Sequence, residues 1–229
     1  GEARMKKEFK KVLAMVLAMV MMLFVVPVSA ASGSSSDLKA YLPPKTATET
    51  MTLQSTKEAW YLGSIVFSKK ARNVTVSSSN PRVATVKTVK QSSDTIQIMV
   101  TPKKLGTTVI TTKVSGKTYK NKVAIKNYVN PISSVKLGNT TISGSKFNKK
   151  DIYTLKYSKY AKKDNIISGI KAKKGWGLYE IFEKVNGKTD ILHSVNTFKP
   201  RSGKGNYQLI FQFYHFKTKR IVNVTFNFK

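Results

Sequence analysis

Hydrophobic and polar residues alternate with a period of two through most of the chain after about residue 49. In the segment NVTVSSS, Val74 and Val76 fall on one face, and in TTVITTKV the same is true of Ile110 and Val114. Successive residues of a β-strand point to opposite faces of a sheet, whereas an amphipathic helix repeats every 3.6 residues. The pattern therefore predicts a series of short, half-buried strands and no sustained helix.

Turn-forming residues divide this alternation at intervals of about eight to twelve residues, which is typical of β-sandwiches. The predicted strands are TMTLQ, WYLGSIVF, NVTVSSS, DTIQIMV, TTVITTKV and KTYKNKVAIK, followed by IISGIKAKKG, WGLYEIFEKV, TDILHSV, GNYQLIFQFYHF and RIVNVTFNF. Ser115-Gly116 and Asn186-Gly187 each separate two strands by two residues, which predicts tight hairpins. In IISGIKAKKG the alternation places Ile166, Ser168, Ile170 and Ala172 on one face.

A further turn is predicted at Asn80-Pro81, because proline lacks the backbone donor of a strand and asparagine favours turns. The apolar residues resume at Val83, but Ala84 and Val86 would then point to the opposite face of the strand from Val83. An extra residue in one strand of a pair produces such a change, so the pattern predicts a β-bulge.

The strands fall into two groups, separated by the Asn-Pro turn in YVNPISSVKLGN (residues 128–139). Residues 48–127 and 128–229 each have a length that suits one domain. The sequence therefore predicts an all-β protein with two β-sandwich domains in tandem. Residues 31–47 are expected to form a linker.

The first domain carries a family resemblance in its segments VSSSNPRVATV and KKLGTTVITTKVSGKTYKNKVAI. These resemble the bacterial immunoglobulin-like domain of group 2, with matches at residues 78–86, 106–111 and 123–125 within a span of roughly 48–127. The resemblance implies that the tandem β-sandwich domains are immunoglobulin-like, and it implies a non-enzymatic role in cell-surface architecture or adhesion. The connection through residues 91–106 is longer than is usual in the family, which leaves the pairing of residues 87–104 open. No family resemblance is identified for the second domain.

The N-terminal residues 1–30 have the three parts of a secretory signal peptide. A basic run begins at Met5, the expected start of translation, and an uncharged apolar stretch of 15 residues follows it before PVSAA. Small residues at Val28 and Ala30 predict cleavage after Ala30. The apolar stretch is short for a membrane span, which needs about 20 residues. We therefore expect a secreted, extracellular protein whose mature chain has no transmembrane segment. Association with the cell wall is compatible with this location.

Charge is the strongest compositional signal: 41 basic and 11 acidic residues give a net charge of +30, and the chain has no cysteine. The lysines are spread over both domains. Such a field attracts polyanions, which for an exported protein means anionic cell-wall polymers or acidic polysaccharide. From Ala31 onward the arginines are only Arg72, Arg82, Arg201 and Arg220. Bidentate phosphate contacts are thus few, and no specific nucleic-acid recognition is expected. A lysine-rich surface that serves only solubility is the alternative.

Two sets of residues are candidates for binding. The alternation turns Lys120 and Lys122, and in the second domain Lys171 and Lys173, away from the predicted core, where they could contact a polyanion. Trp176 lies between two glycines, with Tyr179 on the opposite strand face. These rings could stack on a sugar in a carbohydrate-binding module, although a core position is the alternative for Trp176.

Patterns that would indicate catalysis, a cofactor or a metal are weak. Both Gly-Lys-Thr sequences lie at predicted hairpins and lack the preceding glycine of a phosphate-binding loop. The Ser-x-x-Lys sequence of residues 143–146 has no buried helix to carry a nucleophile. His193 and His215 lie on different predicted strands and have no partner at the spacing of metal ligands. Glu180 and Glu183 point to opposite faces of one strand, so they do not form a pair of catalytic carboxylates on that strand. No enzymatic activity, cofactor or metal site is predicted.

Overall fold

A computed structural model describes residues 37–192 and 196–229 of the 229-residue chain. The predicted signal peptide, the predicted start at Met5 and His193 lie outside the described residues. Within those ranges the chain is almost entirely β-structure and folds as two immunoglobulin-like β-sandwich domains in tandem. The predicted fold class is confirmed.

The first domain contains eight strands, which form two four-stranded sheets. They are β1 (Leu38–Tyr41), β2 (Thr48–Thr52), β3 (Trp60–Phe67), β4 (Val74–Ser78), β5 (Ala84–Lys90), β6 (Thr95–Pro102), β7 (Gly106–Val114) and β8 (Lys117–Lys126). Sheet I has the order β1-β3-β6-β5 and sheet II has the order β2-β8-β7-β4. This division of strands between two sheets is that of the immunoglobulin fold, with β2 lying parallel to the last strand.

The first core is aliphatic. The inward residues of sheets I and II include Ile65, Ile98, Val100, Ile110 and Val123, all of which are fully buried. They come from the alternate positions that the sequence pattern selected, since a sheet packed on one side buries every second residue.

Two expectations for the first domain are wrong. Residues 38–41, which we assigned to a linker, form β1 and pair with β3 at the edge of sheet I. The bulge expected after Asn80-Pro81 is absent, because β5 pairs with β6 without interruption from Ala84 to Lys90. Val83 is buried as the last residue of the turn, where its N–H donates to the carbonyl of Asn80 at 3.0 Å. Val83 and Ala84 are both buried although they are consecutive, because Val83 belongs to the turn and only Ala84 belongs to β5.

In its described residues, up to 192 and from 196 onward, the second domain contains nine strands and two short helices. They are β9 (Ile132–Leu137), β10 (Thr140–Ser143), a 3-10 helix (Gly144–Phe147), β11 (Ile152–Leu155), α1 (Tyr157–Tyr160), β12 (Asn165–Ala172), β13 (Trp176–Val185), β14 (Lys188–Ile191), β15 (Thr197–Phe198), β16 (Tyr207–His215) and β17 (Ile221–Phe228). Sheet III has the order β10-β9-β12-β15, and sheet IV has the order β11-β17-β16-β13-β14. Strand β11 lies parallel to β17 just as β2 lies parallel to β8. Sheet IV therefore has the strand order of sheet II with β14 added at its edge, whereas sheet III differs from sheet I in having the β9–β10 hairpin at one edge.

Aromatic rings fill the second core. Phe211, Phe213, Phe226 and Phe228 are fully buried, as is Tyr207. The ring of Phe228 lies 5.4 Å from that of Tyr160, 5.6 Å from Phe198 and 5.5 Å from Tyr207. The contacts with Tyr160 and Tyr207 are edge-to-face, an arrangement that adds to the free energy of area burial.

Strand β12 departs from the predicted alternation. Ser168 pairs with Lys136 and Lys171 pairs with Ser134, so two residues of β12 stand opposite one residue of β9. The bulge is at Gly169, whose φ of +56° favours glycine. Because of this irregularity Ile166 is 56% exposed and its neighbour Ile167 is buried, so the prediction that Ile166 shares a face with Ile170 and Ala172 is wrong.

Hydrogen bonds across the domain boundary join the end of β2 to the second domain. Asp151 is only 1% exposed. Its carboxylate accepts from the N–H of Ser55 at 2.9 and 3.1 Å and from Nε2 of Gln54 at 2.9 Å. The Gln54 amide also donates to the carbonyl of Asn223 at 2.9 Å, and its Oε1 accepts the Asn223 N–H at 3.3 Å. Gln54 thereby supplies strand-like partners to β17 just before its pairing with β11 begins at Thr225.

Burial on the outer face of sheet IV agrees with this docking. Ile210 and Thr225 are paired there, opposite to the core-facing Phe211 and Phe226, and both are buried. Beside them Lys184 forms an ion pair with Glu58 of the first domain, with Nζ and Oε1 2.5 Å apart. The two sandwiches are therefore in direct contact and are not connected by a linker alone.

Candidate polyanion-binding surface

Lys120 and Lys122 lie two residues apart on β8 and are exposed on the outer face of sheet II. Alternate residues of a strand are separated by roughly 6.5–7 Å along its axis. Lys120 pairs with Thr111 of β7, and Lys113, further along β7, points outward as well. The outward positions of this sheet thus combine ammonium groups with hydroxyl groups on a regular β-surface.

Lys171 and Lys173 lie in the second domain, at the end of β12 in sheet III. Both are exposed, and Lys171 pairs with Ser134 of β9. Lys173 follows the strand, where its N–H donates to the carbonyl of Pro131 at 2.8 Å. The four predicted lysines are therefore exposed on two different sheets, one in each domain, and do not form a single cluster.

Trp176 begins β13 and packs partly buried against the second core. Its ring meets the imidazole of His215 edge-on, with ring centroids 4.9 Å apart. The neighbouring glycines admit other rings: a Cβ at Gly175 would lie 3.0 Å from His215, and one at Gly177 would lie 2.6 Å from the ring of Phe216. The glycines thus allow rings to cover the backbone beside Trp176, which favours a structural role for this side chain.

Tyr179 stands at an irregularity of β13, where the pairing with β16 skips one residue between Leu178 and Glu180. It is half-buried, and burial is the main cause that raises the pKa of its hydroxyl. Phe216, in the turn after β16, is 52% exposed. A role of Trp176 and Tyr179 in carbohydrate stacking stays a prediction.

The carboxylates of β13 serve local structure. Oε1 of Glu183 is 2.5 Å from the Arg201 guanidinium, and its Oε2 accepts from the hydroxyl of the buried Tyr207 at 3.1 Å. Burial, reinforced by the negative charge of Glu183, raises the pKa of Tyr207. Glu180 accepts from the next backbone N–H along the strand, that of Ile181.

The motifs considered for catalysis also have structural roles. The two Gly-Lys-Thr sequences lie at the β7–β8 and β13–β14 hairpins, where Gly116 and Gly187 have positive φ angles. Ser143 caps the 3-10 helix by accepting from the N–H of Ser145. His215 accepts from the N–H of Thr218 at 3.2 Å.

Within residues 37–192 and 196–229, no group of three or more histidine, aspartate or glutamate side chains is placed to hold a metal ion. None of the helices in those same ranges has the length and apolar character required to cross a membrane.

A cleft at one end of sheet III was not predicted. It has a volume of about 380 Å³ and is lined by β9, β12, the β9–β10 turn, and α1 with the turn that follows it. Three lysines line it, and the exposed Ile166 lies among them. The lysines are Lys136, Lys159 and Lys163. They come from β9 and from the segment of α1 and its following turn, more than 20 residues apart in the chain, so no local sequence pattern marks the cleft.

Together, the strand order and the two sandwich cores define a protein of tandem immunoglobulin-like domains. No known family matches the chain, and no curated protein matches its sequence.

Solved structures that match the chain include domains 5–6 of the S-layer protein SbsC, which are 14% identical. That match covers 84% of this chain and 98% of the other, with a TM-score of 0.34. Domains 4 and 5 of SbsC are 18% identical over 38% of this chain and 50% of the other, with a TM-score of 0.30. The tandem Ig repeats of Dlar are 8% identical, with 85% and 99% covered and a TM-score of 0.35. The chain thus spans half of the SbsC fragment that holds domains 4 and 5.

Proposed function

We propose that the protein is an exported, non-enzymatic module of a bacterial cell surface. Its basic sheet faces would hold it to anionic cell-wall polymers without a covalent bond. The observation that carries this proposal is the outward display of lysines from sheets of both domains, in a chain with a net charge of +30. The N-terminal pattern typical of a signal peptide supports export.

Charge of this size favours attraction at long range, since the summed field of many lysines acts over about a Debye length in salt. The lysines of sheets II and III are compact charges on flexible chains. Such groups suit a repeating anionic polymer better than a single ligand of fixed shape. We therefore expect binding that is strong at low salt and not selective for one polymer sequence.

The domain packing supports a structural role. Asp151, Gln54 and the ion pair between Lys184 and Glu58 join the two sandwiches through groups that are buried or partly buried. A pair of domains fixed in this way can act as a rigid spacer at a surface. We further propose that the first domain belongs to the group 2 bacterial immunoglobulin-like family, whose sequence pattern it resembles at residues 78–86 and 106–111.

Binding of the chain from Ala31 onward to isolated anionic cell walls tests this function. We expect affinity to fall steeply between about 50 and 200 mM salt, because binding to a polyanion is driven by counterion release. Walls from which teichoic acid has been removed should bind much less protein. Binding that resists salt and is unaffected by lysine substitution would contradict the proposal.

A pair of variants with equal charge sharpens the test. In the first, Lys120, Lys122, Lys171 and Lys173 are replaced by glutamine. In the control, four exposed lysines outside the outer faces of sheets II and III are replaced instead: Lys45, Lys69, Lys70 and Lys90. If the sheet faces make the contact, the first variant should lose more wall binding than the control. Equal losses would assign the attraction to net charge alone.

A further inference from the structure

We infer that the cleft at the end of sheet III is a binding subsite for one anionic sugar unit of an acidic polysaccharide. The inference names a site for the polymer binding proposed above and so rests on that function. The cleft joins two features that a charged sugar requires. These are an apolar surface for the ring and several cations for its acidic group.

The apolar surface is Ile166, which is 56% exposed on the outer face of β12. An isoleucine at an outward strand position costs free energy because its side chain stays in water. Here it lies in a concave site of about 380 Å³, within the range of about 300–1,000 Å³ typical of small-ligand sites. The C–H face of a pyranose ring can cover such a side chain.

The cations surround this residue. Lys136 projects outward from β9, and Lys159 and Lys163 are exposed on the segment that includes α1 and the turn after it. One acidic residue, Asp164, lines the same cleft. Three lysines against one carboxylate leave an excess of positive charge, so the site favours an anionic ligand.

The cleft is held in shape by buried polar contacts. The side chain of Asn165 is buried, and its Nδ2 donates to the carbonyls of Tyr160 at 2.8 Å and of Lys163 at 2.9 Å. This fixes the lysine-bearing segment against β12. On the other side, the N–H of Gly138 donates to the carbonyl of Ile166 at 2.7 Å. Binding groups that are already in place lose less conformational freedom when a ligand binds.

Polar groups complete the lining and can recognise hydroxyls. Asn139 lies in the β9–β10 turn, and Ser168 pairs with Lys136 across the strands. Amide and hydroxyl side chains both donate and accept hydrogen bonds. A polyanion without sugar rings, such as inorganic polyphosphate, would use the lysines alone and leave Ile166 and these groups without a role.

Calorimetric titration with short polygalacturonate oligomers tests the subsite at about 50 mM salt. A variant with Lys136, Lys159 and Lys163 replaced by glutamine should bind about tenfold more weakly, equivalent to about 1.4 kcal/mol. The matched control replaces Lys45, Lys69 and Lys90, which lie outside the outer faces of sheets II and III, and should lose much less. All six side chains are exposed, and circular dichroism checks that each variant is folded. Equal losses in the two variants would overturn the subsite.

Ile166→Ser separates a sugar site from a simple patch of charge. It should weaken binding of polygalacturonate and leave binding of inorganic polyphosphate unchanged. The amide NMR signals of Gly138 and Asn139 should shift on addition of polygalacturonate. An Ile166→Ser variant that binds both probes like the parent protein would overturn the inference.

The outcomes distinguish the subsite from the proposed function. Salt-sensitive wall binding with no selective effect of the cleft variant would leave the function standing and remove the subsite. Selective loss of polygalacturonate binding in a protein that does not bind walls would keep the subsite and remove wall retention.

Discussion

The two domains share a strand plan but fill it with different side chains. Branched aliphatic residues form most of the first core, whereas six phenylalanines, with Tyr160 and Tyr207, dominate the second. The difference is clear at equivalent positions: Val123 and Ile125 of β8 correspond to Phe226 and Phe228 of β17, each pair lying beside the parallel strand. The plan is therefore set by the alternation of inward and outward positions and by the turns, and not by the particular residues that fill the space between the sheets.

The same comparison holds for the parallel strands. Glu49 and Met51 of β2 are opposite Val123 and Ile125, and Tyr153 and Leu155 of β11 are opposite Phe226 and Phe228. The second domain places a ring where the first has a carboxylate. The Tyr153 ring packs 6.0 Å from that of Phe147, while burial raises the pKa of Glu49. The first domain thus has a less favourable residue at its parallel edge.

The largest effect is expected from breaking the aromatic core. Phe228→Ala removes a ring that contacts three others, and should lower the free energy of unfolding by about 3–5 kcal/mol. Ile98→Val in the aliphatic core removes one methylene and should cost about 0.5–1.5 kcal/mol. Urea unfolding followed by circular dichroism measures both. A cost below that of Ile98→Val would show that the second core closes around the lost ring.

A smaller effect is expected from separating the domains. Asp151→Ala removes the acceptor of Ser55 N–H and of one Gln54 hydrogen bond, and should cost about 2–3 kcal/mol because hydrogen bonds to a charged group are lost. The transitions of the two domains should then move apart in a calorimetric scan. Asp94→Ala is the control, since Asp94 is only partly buried and its carboxylate accepts hydrogen bonds from the neighbouring Ser92 and Thr95 alone among the bonds described. If the two transitions of Asp151→Ala stay as close together as in the parent protein, the remaining contacts between the domains are enough to couple their unfolding.

The smallest effect concerns Glu49. Because burial raises the pKa of this carboxyl in the folded state, protonation stabilises the fold. That stabilisation is complete below the unfolded pKa and is lost as pH rises through the higher folded pKa. Glu49→Gln should therefore raise the melting temperature at pH 7 and leave it nearly unchanged near pH 4. Melting curves at the two pH values test the sign, and a lower melting temperature at pH 7 would contradict it.

The sequence predicted those parts of the fold that depend on local alternation and turns. The strands around Ile98 and Ile110, the two hairpins and the outward direction of Lys120 and Lys122 follow from a period of two and from two-residue turn signals. The bulge in β12 was missed because one glycine, Gly169, gives no sign of whether a strand continues straight through it.

Long-range polar contacts were beyond the reach of the sequence pattern. Gln54 and Asp151 are separated by 97 positions in the chain, and each lies in a polar segment that predicts a loop. The three lysines of the cleft come from two segments that are distant in the sequence. Ile166 was assigned to the core face because the bulge at Gly169, which shifts the alternation of β12, was not predicted. Short edge strands are equally hard to recognise, since β1 has only four residues in a segment that resembles a linker.

The parallel pairing of β2 with β8, and of β11 with β17, has a mechanical consequence. When a chain is pulled from its two ends, an early strand and the last strand of each domain are drawn in opposite directions along their common axis. For parallel neighbours this loads all the hydrogen bonds between them in shear at the same time, whereas a hairpin opened from its free ends loses its bonds one after another. Resistance to force depends on the rate of unfolding. The parallel pair has five consecutive paired positions in the first domain and four in the second. A tandem of such domains can carry tension along its length without any disulfide.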